Sequence, residues 1–123
     1  MSTQGNTEVI DPTEIISQLM AEELDRAFSD IEGLLRTYLA AVFSSDESFL
    51  DMFTKVYGDR DRLRLIVRRF ISEVLPKVIM AYTLAGSNKH PIIERFKELY
   101  LVEVVHNGLY RAFYEVLYTE KGF

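Results

Sequence analysis

Apolar residues recur at three- and four-residue steps through almost the whole chain, and no stretch alternates apolar and polar between hairpin turns. That period is the signature of amphipathic helices, and it excludes a sheet-based core. The punctuation agrees. There are only three prolines and six glycines, and most stand where a helix is expected to begin or end. The first start signal is Asp11, which can cap, with Pro12 at the first helical position and Glu14 three residues after the cap. Ile16, Leu19, Met20, Leu24, Ala27, Ile31, Leu34, Leu35, Tyr38 and Val42 then continue the helical period to about Phe43. A break near Ser29 is expected, because Ser29 and Glu32 repeat the capping-box pattern and Gly33 weakens the helix there.

Ser45 is the expected cap of a short second helix carrying Phe49, Leu50, Met52, Phe53 and Val56 and stopping at Gly58. Asp59 caps a third helix that runs to Ala85, with Gly86 as its terminator. Pro76 lies inside it, and loss of one backbone hydrogen bond predicts a kink near Ser72 to Leu75. Ser87 to His90 read as a turn, and Pro91 opens a last helix that runs to about Lys121 and ends at Gly122. The expected fold is therefore all-α: a bundle of four to five helices with a long antiparallel C-terminal hairpin. Residues 1–10, polar and aperiodic, read as a disordered tail, and residues 11–123 as a single helical domain.

The composition narrows the function classes. A formal net charge of −5 opposes nucleic acid and anionic membranes unless a local basic patch intervenes. The absence of cysteine removes disulfides, thiolate zinc sites and cysteine nucleophiles. The first residues lack the basic-then-apolar order of a signal peptide, and the apolar stretch from Val78 to Gly86 is too short to span a bilayer. A cytoplasmic protein is the expectation. The lack of cysteine and the few Asn and Gln residues lean towards a thermophile. No phosphate loop, dinucleotide fingerprint, metalloprotease motif or Ser-His-Asp order is present, so no cofactor is expected and a non-enzyme is favoured.

Three constellations remain. Glu103 and His106 form a Glu-x-x-His pair three residues apart, on one helix face, and Glu23 lies on the apolar stripe of the first helix. Over these few residues the chain resembles the ferritin-like carboxylate-bridged bundles. That resemblance implies a two-metal redox site, which a two-fold dimer would complete from Glu23, Glu103 and His106. The competing reading, and the favoured one, is a core histidine bonded to a neighbouring glutamate or tyrosine, with Tyr110 one turn away. Arg60, Arg64 and Arg68 make a stripe that could grip phosphates and serve a nucleic-acid accessory role. Asp59 and Asp61 partly cancel it, and ion pairing with Asp46, Glu47 or Asp51 is favoured instead.

The third constellation is the width of the apolar faces. On the last helix, Ile92, Phe96, Leu99, Val102, Val105, Leu109, Tyr110, Phe113, Val116 and Leu117 fall in one broad arc, expected to face the core. The third helix is apolar over much of its circumference from Val67 to Leu84. A chain of this size cannot cover both helices on all sides. Ile71, Leu75, Ile79, Tyr82, Tyr100, Tyr114 and Tyr118 are the expected interface of a homodimer. The functional expectation is a helical interaction or structural protein that also binds a protein partner through its apolar faces.

Overall fold

The structure, a computed structural model, describes residues 11–24, 29–86 and 90–119. Five α-helices follow one another: α1 (Pro12–Glu23), α2 (Ser29–Ser45), α3 (Glu47–Val56), α4 (Arg60–Ala85) and α5 (Pro91–Tyr114). A five-residue π-helical segment, Glu115–Thr119, continues α5. Among the described residues there is no strand, and no helix is long and apolar enough to cross a membrane. The expected tail, most of the turn before Pro91 and the helix end at Gly122 lie outside the described residues.

Local chemistry sets most of the boundaries. Asp11 caps α1, its Oδ1 accepting from the Thr13 N–H at 3.0 Å, with Pro12 at the first helical position. At the other end Leu24 turns into extended backbone. The long first helix thus divides into α1 and α2, the break falling before Ser29. Asp59 Oδ1 accepts from the Arg62 N–H at 3.1 Å and starts α4. Gly86 ends it with φ 54°, in the left-handed region that glycine enters without a Cβ clash.

Two boundaries correct the sequence reading. The cap of α3 is Asp46, not Ser45. Asp46 Oδ1 accepts from the Ser48 N–H, whereas Ser45 Oγ donates back to the Val42 carbonyl and so closes α2. α4 runs to Ala85 as expected, with Pro76 inside it and on its exposed side. The last helix changes to wider π turns after Tyr114 instead of running on as an α-helix.

The core draws on every helix. Phe49, Phe70 and Phe113 are its largest fully buried side chains, joined by Ile16, Leu19, Met20, Leu35, Leu39, Leu63, Ile66, Leu101 and Leu109. The most extensive contact is between α4 and α5. Here the inward face of α5 differs from the expected arc. Leu101, Val104, Val105, Gly108, Leu109, Ala112 and Phe113 are buried, while Ile92, Phe96, Leu99, Val102 and Tyr110 are exposed. At 100° per residue the buried face is rotated roughly a quarter turn from the predicted one. The cause is steric. Gly108 sits against Val74, with Glu73 Cγ and Phe70 Cδ1 close by, so the small residues Gly108 and Ala112 let the two helices approach. The more voluminous side of α5 is left facing out.

Candidate functional site

Two arginines of the stripe sit in ion pairs with α1. Arg64 Nη1 donates to Glu22 Oε1 at 2.9 Å, Arg68 Nε reaches Glu23 Oε2 at 3.4 Å, and Arg60 is exposed at the start of α4. The acidic partners come from α1, not from the short helix as expected. Asp46 is taken by His106, and Asp51 pairs with Lys55 at 3.6 Å. Beside the stripe, Arg69 donates to Glu115 at 2.9 Å, and a shallow depression there is lined by Arg68, Arg69, Ser72, Glu73 and Glu115. Two carboxylates among its cations make that depression a poor phosphate cradle.

Glu23, Glu103 and His106 do not converge. Glu23 is committed to Arg68. Glu103 and His106 line one open depression with Ala41, Val42, Ser45, Leu99, Val102 and Asn107, and Glu23 is not part of it. Among the described residues no group of three or more His, Asp and Glu side chains is placed to hold a metal. His106 Nε2 instead lies 3.1 Å from Asp46 Oδ2, and its ring stands edge-on to Phe49 with centroids 5.1 Å apart.

Asp46 therefore does two jobs. Its Oδ1 caps α3 and accepts from the Ser48 hydroxyl at 2.6 Å, while its Oδ2 holds the histidine of α5. Hydrogen bonds from the Ser48 hydroxyl, from His106 and from the Ser48 N–H hold its carboxyl below the ordinary carboxylate value. A group depressed in the folded state stabilises the fold above its unfolded pKa of about 3.9, and the contribution is lost as pH falls through the folded value. Asp46→Asn is accordingly expected to melt below the wild type at pH 7, with the gap closing in strong acid, where both side chains are neutral. Thermal unfolding of the two proteins across pH checks this. A gap that persists unchanged into strong acid would show that the charge on Asp46 plays no part.

What most distinguishes the surface is apolar. Phe96 is 66% exposed, Leu84 80% and Met80 55%, and Ile92, Leu99, Tyr100, Tyr110, Tyr114 and Tyr118 are all exposed along α5 and its π-helical extension. The three C-terminal tyrosines form a ladder. Tyr110 and Tyr114 stack with centroids 6.3 Å apart and planes at 17°, and Tyr114 and Tyr118 lie 4.8 Å apart. At the other end, Met80 and Leu84 of α4 face Phe96 and Tyr100 of α5 across an open groove of about 400 Å³. On the outward side of α5, Glu103 and Asn107 stand between Tyr100 and Tyr110.

Of the expected interface residues, Tyr100, Tyr114 and Tyr118 lie on this stripe. Ile79 and Tyr82 are exposed on α4, with the Lys97 ammonium 4.6 Å from the Tyr82 ring centroid. Ile71 and Leu75 are half-buried, and Ile71 packs on the core of its own chain. Sequence reasoning missed Ile92, Phe96, Leu99 and Tyr110 as surface residues because it had turned them inward. The small pair Gly108 and Ala112, on the opposite side of the helix, was the available signal. No protein-family model, curated protein or solved structure matches the chain.

Proposed function

We propose that the chain is a helical interaction protein that works as a homodimer, with the exposed side of α5 and the end of α4 as its contact surface. A single bundle in which α4 and α5 form an antiparallel hairpin is part of the same reading. It is supported by the pairs Arg69–Glu115, Glu73–Arg111 and Tyr82–Lys97, in which one helix number rises as the other falls.

The observation that carries the proposal is the run of half-exposed aromatic and aliphatic side chains from Ile92 to Tyr118. Fully burying one such side chain is worth about 1.5–3 kcal/mol, so a contiguous row of them favours association. Glu103 and Asn107 interrupt the row at its middle, and aromatic and aliphatic side chains make up the rest of it on either side, the residue types enriched at interface centres.

Sedimentation equilibrium at micromolar concentration is expected to give twice the 14.3 kDa chain mass. Phe96→Glu and Tyr114→Glu should each weaken the dimer at least tenfold, about 1.4 kcal/mol, while leaving helix content unchanged. A monomer at those concentrations rules out self-association and assigns the surface to a different protein.

A further inference from the structure

We propose that the second copy lies antiparallel on α5, with the two-fold axis crossing that helix midway between Glu103 and Asn107. This inference rests on reading the exposed face as a homodimer interface, and it adds the partner's direction and register.

The outward stripe of α5 consists of Ile92, Phe96, Tyr100, Glu103, Asn107, Tyr110, Tyr114 and Tyr118, every one of them exposed. Successive members are four or three residues apart, and from Phe96 to Tyr114 the steps alternate as in a heptad seam. Tyr118 falls in the π-helical segment, yet its ring meets that of Tyr114, so it stays on the same face. The stripe is symmetric in number about position 105. Reversal pairs Ile92 with Tyr118, Phe96 with Tyr114, Tyr100 with Tyr110, and Glu103 with Asn107.

The chemistry of these pairs selects the antiparallel arrangement. A parallel pair in register would set Glu103 against Glu103, two carboxylates on a desolvated seam, and Asn107 against Asn107. Reversal replaces the like-charge contact by a carboxylate that accepts from the side-chain amide of Asn107. It also lays the Tyr110–Tyr114–Tyr118 ladder of one copy along Phe96, Tyr100 and the Met80–Leu84 groove of the other. Ring faces then meet aliphatic, thioether and phenyl groups, and tyrosine hydroxyls remain at the rim.

The area suffices. Aromatic and large aliphatic side chains about half exposed contribute roughly 100 Å² each, and the six of the stripe from Ile92 to Tyr118 give about 600 Å² per copy. A standard interface takes about 800 Å² per partner, and Met80 and Leu84 supply the remainder. The stripe spans about 39 Å at 1.5 Å per residue, so the seam runs the length of the helix.

Spin labels decide the register, because the chain has no cysteine of its own and each introduced one is unique. Arg95 and Arg111 are exposed beside the stripe, and labels at Arg95→Cys and Arg111→Cys leave its residues intact. In the proposed dimer the two copies of position 95 are separated by about 30 Å along the helix axis, and those of position 111 by about 18 Å. Double electron–electron resonance is therefore expected to give a label distance above about 30 Å at 95 and a clearly shorter one at 111. A dimer by sedimentation with a 95 distance below about 25 Å, or a 111 distance no shorter than that at 95, overturns the register and leaves the homodimer standing. Absence of any dipolar signal together with a monomer mass overturns the homodimer itself.

Discussion

Replacing Phe49 with alanine is expected to cost about 3–5 kcal/mol of folding stability, the range for removing a buried phenyl ring. Phe49 is fully buried on α3 and contacts rings from two other helices. Its centroid lies 5.9 Å from Phe43 of α2, and 6.5 Å from Phe113, 5.9 Å from Tyr110 and 5.1 Å from His106 of α5. The angles with His106 and Tyr110 are 90° and 87°, edge-on arrangements that add to the burial. A ten-residue helix has little stability of its own, so α3 depends on Phe49, Met52, Phe53 and Val56 to stay docked. Small domains hold about 5–15 kcal/mol in all, which makes the loss a large fraction of the total. Urea unfolding of Phe49→Ala beside the wild type, at one fixed protein concentration because any self-association couples to stability, measures it. A loss under about 1.5 kcal/mol would mean that the site collapses around the missing ring and that α3 is held by other contacts.

How far the fold could be read from residues alone depends on the range of the interaction concerned. Asp11, Asp59, Gly86 and Pro91 mark helix ends through groups within three or four positions, and all four stand where expected. Ser45 and Asp46 can both cap, and the choice between them turns on which side chain reaches the Ser48 N–H. His90, expected only as the end of a turn, caps α5, its Nδ1 accepting from the Ile92 N–H at 3.2 Å. Long-range pairs left no periodic trace. Asp46 and His106 are sixty residues apart, and Glu22 and Glu23 meet Arg64 and Arg68 only because α1 folds back onto α4. The orientation of α5 departs furthest from the sequence expectation. Where a helix is apolar nearly all round, hydrophobicity cannot say which side is inward, and the decision passes to side-chain volume. The tyrosines at Tyr100, Tyr114 and Tyr118 were still readable as outward residues, because a ring with a polar tip tolerates a wet edge better than a leucine does.

The same substitution at two glycines should have opposite signs. Gly33 lies on the exposed side of α2, and a Cβ built there meets no other group within 4 Å. Gly33→Ala is expected to stabilise by about 0.5–1 kcal/mol, the helix preference of alanine over glycine. Gly108 is buried, and a Cβ built there runs into Val74 Cγ2. Valine is stiff at χ1, and Glu73 Cγ at 3.6 Å and Phe70 Cδ1 at 3.8 Å fill the space around the new methyl. Overpacking of this kind costs about 1–3 kcal/mol, which exceeds the helix gain, so Gly108→Ala should destabilise. Val74→Ala makes room, and in that background the cost of Gly108→Ala should shrink by more than about 0.5 kcal/mol, the signature of residues in contact. Urea unfolding of the four proteins in that cycle, with Gly33→Ala alongside, measures each term. Equal gains at the two glycines would mean that α4 and α5 stand farther apart at Val74 than the close approach requires. The inward placement of Gly108 and Ala112 would then fall, and the outward stripe of α5 with it.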